Sequence, residues 1–140
     1  MKIAARNAWH YVGKAAFAAI FLIAGIAHFV STDMFLKAMP PYVPWHRPIV
    51  LGSGGVEIAL AILLLIPKTS RFAAWGLIAL LVAVFPANIH IYRHQELCRF
   101  PPIVHLLRLP TIVHLLRLPM QAVLILWAYR YTKPPRREVR

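Results

Sequence analysis

The chain has 140 residues, 60 % of them hydrophobic and 14 % charged, and a formal net charge of +12. That length leaves room for one domain, 1–140, and so apolar a composition excludes an ordinary soluble protein. The basic residues flank apolar runs instead of covering a polar surface, which excludes nucleic acid and makes the lipid bilayer the partner.

Residues 1–14 carry Lys2, Arg6 and Lys14 with Trp9 and Tyr11, a basic, aromatic lead-in suited to a membrane surface. Ala15–Val30 is an apolar run that can continue toward Phe35, so the first helix is expected over about 15–35. Gly25-Ile26-Ala27 also reads as a small-x-small cleavage site, and a cleaved signal peptide is the competing reading. Against it, the apolar pattern runs through the site and no polar segment precedes the cut. His28 falls near the far end of this helix, with Ala24 and Gly25 one turn back. The loop that follows, STDMFLKAMPPYVPWHRP, is dense in proline and aromatics. Met34, Phe35, Met39, Tyr42 and Trp45 can partition into the interface as a short lid, and Pro40, Pro41, Pro44 and Pro48 forbid a continuous helix.

The second apolar run, over 49–66, spans about 27 Å as a helix, close to the thickness of a hydrocarbon core. Glu57 is stranded in its middle, where an unpaired charge is costly and marks a functional site. Ser53, Gly54 and Ala61 lie one turn away, small residues that let another helix approach. The turn Pro67–Arg71 then makes an antiparallel hairpin with a third helix over 72–91. Pro86 in that run deprives the carbonyl of Val82 of its helical donor and favours a kink. Asn88 can repair it locally or reach across to another helix.

Residues 92–110 form a basic connection, which holds Cys98. As the single cysteine, it excludes an internal disulfide, a CxxC redox pair and a cysteine zinc site. The octapeptide IVHLLRLP occurs at Ile103–Pro110 and again at Ile112–Pro119, a local duplication too short for a repeat architecture. Starting the last helix at Ile112, with Thr111 as N-cap, gives a span over 112–131 and an internal Pro119. This start places Arg117 inside the apolar zone, with His114 and Gln121 on its face.

The expected architecture is an all-α, integral membrane four-helix bundle. With four spans, ten Lys and Arg fall on the side of both termini and six on the other, which puts both termini in the cytoplasm. Measured from the outer boundary, Glu57 is then about 12 Å deep, Arg117 about 8 Å and Asn88 about 5 Å, with His28 at the boundary. His28, Glu57, Asn88, Arg117 and Gln121 are the candidate residues of one outward-opening polar pocket. A structural ion pair of Glu57 with Arg117 is the competing explanation.

FLIAGIAHF around His28, the MPPYVPW loop, GGVEIALAILLLIP around Glu57, AAWGLIALLVAVFPANIH and LRLPMQAVLILWAY occur in an order and spacing that resembles the DoxX-like membrane protein family, over most of residues 21–132. The duplicated IVHLLRLP departs from that pattern. The resemblance implies a four-helix bundle in a prokaryotic cytoplasmic (inner) membrane, and for some members an association with quinone-linked sulfur oxidation or membrane oxidoreductase complexes. The expected role is an accessory subunit beside a membrane redox enzyme, not an autonomous enzyme, with no metal and with quinone as the cofactor it would touch. A carrier for a lipophilic or small anionic solute is the alternative, Arg117 receiving the solute and Glu57 titrating as a proton site. A purely structural assembly role is the third reading. Four helices of this size can work alone or as a homodimer.

Overall fold

The computed structural model describes residues 2–94 and 109–133, with side chains at 8–94, 116 and 118–133. Among the described residues the chain is all-helical: α1 (Lys2–Val30), α2 (Thr32–Ala38), α3 (His46–Leu65), α4 (Ser70–Arg93) and α5 (Leu109–Tyr129). Among the described residues three helices are long and apolar enough to cross a membrane, over Ala8–Val30, His46–Leu65 and Ser70–Arg93. Only 22 % to 33 % of these stretches is buried inside the protein. Ile23, Phe72, Val82 and Leu126 are among the large apolar side chains left outside. Water would make such a surface an aggregation hazard, whereas lipid tails solvate it.

Each boundary has a local cause. α1 starts at Lys2, well before the apolar run, because helix-forming Ala, Lys and Arg continue the turn pattern outside the apolar zone. At the other end Ser31 leaves helical geometry (φ −125°, ψ 40°), so the expected continuation to Phe35 becomes a separate helix, α2. The Thr32 hydroxyl donates to the carbonyls of His28 (2.8 Å) and Phe29 (3.2 Å), satisfying groups that the end of α1 would leave open. Pro40 is fully buried, and its carbonyl accepts from the Val43 amide (3.1 Å) and from His46 Nε2 (3.1 Å). These bonds close the loop that leads into α3. Trp45, just before α3, has the left-handed φ of 53°. Pro48 sits in the first turn of α3, where a missing amide costs nothing.

The α3–α4 link is held by Thr69, whose hydroxyl donates to the Leu63 carbonyl (2.7 Å). α5 begins at Leu109, so Thr111 lies within the helix and does not cap it. The second copy of IVHLLRLP is inside α5. The first lies outside the described residues except for Leu109 and Pro110.

Across the bundle α1 packs on α3, α3 on α4 and α4 on α5, while α2 touches α1, α3 and α4. The core runs through Phe17, Phe21, Leu60, Leu64, Ala73, Ala74, Leu77 and Ala128. Phe17 joins α1 to α5, with ring centroids 5.0 Å from Trp127 and 6.0 Å from Tyr131. Trp127 Nε1 donates to Tyr131 Oη (3.0 Å), so both polar tips are satisfied within the apolar cluster.

Candidate functional site

The tightest point of the bundle is the crossing of α1 and α3. A Cβ placed on Gly25 would meet the Gly54 carbonyl oxygen at 2.8 Å and Ile58 Cγ1 at 2.7 Å. One placed on Gly54 would meet His28 Cβ at 2.5 Å and the Gly25 carbonyl oxygen at 2.9 Å. The two backbones therefore touch, as small residues allow in lipid, where dispersion and polar contacts drive helix association.

This contact brings together the residues one turn beyond each glycine, His28 on α1 and Glu57 on α3. Their side chains are each 10 % exposed, and His28 Nδ1 lies 3.7 Å from Glu57 Oε2. The same nitrogen is 2.8 Å from the Ala24 carbonyl. A carbonyl only accepts, so Nδ1 carries a proton and donates it there. The 3.7 Å approach to Glu57 is an electrostatic contact and not a second hydrogen bond. Glu57 Oε2 is buried and has no hydrogen-bond partner among the described residues. Phe35 of α2 stacks on the imidazole, with centroids 3.8 Å apart and planes 25° apart. The result is a buried acid and imidazole under an aromatic cover, with one carboxylate oxygen still able to accept a hydrogen bond.

A second polar group bridges α4 and α5. Asn88 Nδ2 donates to Gln121 Oε1 (2.8 Å), and Gln121 Nε2 donates to the Leu81 carbonyl. Both bonds flank Pro86, where the helical ladder is interrupted. Asn88 thus reaches across to another helix, and the Gln121 amide of that helix reaches back to a carbonyl of α4.

Residues 17–132 match the family model described as Domain of unknown function (DUF8561). The chain belongs to that family. No curated protein and no solved structure matches it. The stretch that the DUF8561 domain covers contains the glycine crossing and both polar groups.

Of the five residues expected in one pocket, the structure joins His28 with Glu57 and Asn88 with Gln121. Among the described residues no hydrogen bond or ion pair links the two groups. Arg117 is in α5, but its side chain and that of His114 lie outside the described part. The neighbour seen beside Glu57 is His28, although depth counting separates them. Gly54 is eight residues into α3 and His28 two residues from the end of α1. α3 therefore runs on past Val30 by roughly 9 Å at 1.5 Å per residue, and the ends of the two helices do not share a level. A cleft of about 490 Å³ opens nearby, lined by residues 29–34 and Arg47.

Sequence reasoning assigns Phe35 to an interfacial lid and does not bring it onto His28. A usable signal exists for the pair: Gly25-x-x-His28 and Gly54-x-x-Glu57 have the same spacing, a small residue one turn before a polar one on each helix.

Proposed function

We propose that this chain is a DoxX-like, four-span protein of a prokaryotic inner membrane, with both termini cytoplasmic, and that it serves as an accessory subunit of a quinone-linked redox system. The observation that carries this reading is the buried Glu57 Oε2, beside His28 and without a hydrogen-bond partner among the described residues. An orphaned buried acceptor is costly unless something donates to it. A quinol hydroxyl is such a donor, and it is compatible with an apolar ring and tail arriving from lipid. α5, at 21 residues, is long enough to be the fourth span.

His28 and Glu57 are the residues that would hold the ring. Glu57 Oε2 accepts a hydrogen bond, and His28, fixed by the Ala24 carbonyl, keeps the carboxylate from standing alone in hydrocarbon. Phe35 covers the imidazole face and limits access of water. Quinone would supply two-electron, two-proton chemistry. The chain's single cysteine leaves it no thiol pair of its own, so electrons would come from a partner oxidoreductase.

Extraction of the protein, purified in mild detergent, into organic solvent tests this. Wild type should release quinone, bound as the quinol whose hydroxyl donates to Glu57 Oε2 and oxidised by air during extraction, recognised by its ultraviolet spectrum and the change on borohydride reduction. Glu57→Gln and His28→Phe should retain about tenfold less at equal folded protein, the worth of roughly one charge-assisted hydrogen bond. Wild type that releases no quinone, and binds none when it is added, ends this reading.

A further inference from the structure

The opposite end of the bundle holds a cluster of cations with no acid among them in the described residues. Lys14 is 9 % exposed as a residue, its stem packed into the bundle, and its ammonium, which reaches the surface, has no hydrogen-bond or ion-pair partner among the described residues. His10 lies one turn before it, and Arg130 directly precedes Tyr131 in the chain. The His10 ring packs edge-on against Tyr131 (5.3 Å). Gly13 lets Tyr131 Oη come to 3.3 Å from where its Cβ would be. Next to Tyr131, the Thr132 carbonyl accepts from Arg71 Nε (3.0 Å), so a further guanidinium stands at the same end.

The two carboxylates among the described residues are elsewhere: Glu57 is paired with His28, and Asp33 is on α2. An ammonium without a counter-charge at the edge of the hydrocarbon is unfavourable, and gathering other cations around it adds repulsion. An anion seated among Lys14, His10 and Arg130 removes both costs at once.

The surroundings say where the anion comes from. Trp9, Tyr11, Trp75 and Tyr129, all well exposed, lie at this same end of α1, α4 and α5. Exposed Trp and Tyr at one level of a membrane protein mark the depth of the headgroups. At that depth the abundant oxyanion is the phosphate of a phospholipid, and a basic pocket between helices suits a lipid with net negative charge. A zwitterionic headgroup would bring its own cation against Arg130 and Lys133.

We propose that Lys14, His10 and Arg130 bind the phosphate of an acidic phospholipid, at the end of the bundle where the N-terminus of α1 meets the end of α5. This site is independent of the quinone reading, which concerns the far end of α1.

The experiment is thermal unfolding of the full chain in non-ionic detergent, titrated with phosphatidylglycerol, phosphatidylcholine or inorganic phosphate. Phosphatidylglycerol should raise the midpoint saturably, and the other two should not. Arg130→Gln, at an exposed position, should fold normally and shift half-saturation to about fivefold more phosphatidylglycerol, the effect of losing one basic contact at a membrane surface. Lys14→Met should lose the phosphatidylglycerol increment, yet unfold at a higher midpoint than wild type without lipid, since the repulsion among the clustered cations is relieved. Equal shifts with phosphatidylcholine, an equal shift with inorganic phosphate alone, or wild-type half-saturation in both variants would each overturn the proposal.

Discussion

Gly54→Ala is the sharpest perturbation of this structure, because its control positions lie on the same helix. In a helix, Gly to Ala gains up to about 1 kcal/mol from backbone propensity, wherever there is room. At Gly52 and Gly55 nothing lies within 4 Å of an added Cβ, so those substitutions should be neutral or stabilising. At Gly54 the same methyl group would sit 2.5 Å from His28 Cβ and 2.9 Å from the Gly25 carbonyl oxygen, neither of which can swing away. Relief requires α1 and α3 to part by roughly 1 Å, which forfeits up to about half of each dispersion contact along the seam. Overpacking of this kind costs about 1–3 kcal/mol, enough to cancel the propensity gain. The separation also carries His28 away from Glu57. Unfolding midpoints of the three alanine variants, in one detergent, are the assay: Gly52→Ala and Gly55→Ala at or above wild type, Gly54→Ala clearly below. If Gly54→Ala is as stable as its neighbours, the two backbones do not touch and the His28–Glu57 pairing falls with them.

Two further outcomes follow from the polar groups. His28→Phe and Glu57→Leu should each destabilise the protein, and the double variant should be less damaged than the sum, with an interaction of about 1–3 kcal/mol for groups in contact; additive losses in the cycle would show that the pair is not coupled. Gln121→Leu leaves the Asn88 amide and the Leu81 carbonyl without their partner, and should cost about 1–2 kcal/mol, two interhelical bonds at the modest worth such bonds have in membranes. Faster amide exchange around Pro86 should accompany it, and exchange unchanged from wild type would count against a role for Gln121 at the kink.

Much of this was legible in the residues. The apolar run around Glu57, with Gly54 one turn earlier, announces a membrane helix with a polar, close-packed face. Helix length and apolar content depend on local sequence alone, so α3 and α4 fall within a few residues of expectation. What sequence could not supply is the level at which two helices meet. Depth counted from the end of each apolar run puts His28 at the rim, because it treats Val30 as a boundary, whereas α3 extends past it. The expected approach of Glu57 to Arg117 falls outside the described residues, since the Arg117 side chain is not among them. The helical state of residues 2–14 was hidden differently: Ala, Lys and Arg extend a helix without extending an apolar run. Asn88 and Gln121 were each legible as polar residues in apolar runs, but their bond crosses between helices and has no signature in spacing.

The glycine crossing of α1 and α3 also sets how the protein responds to temperature. A soluble core is held by the release of water from apolar surface, a force that weakens on cooling and gives unfolding its large heat-capacity change. Gly25 and Gly54 bury almost no such surface, and in lipid there is no water to release. Their contact is dispersion between two backbones, with a polar pair one turn away. The seam that positions His28 against Glu57 should therefore stay closed in the cold, when water-driven cores loosen.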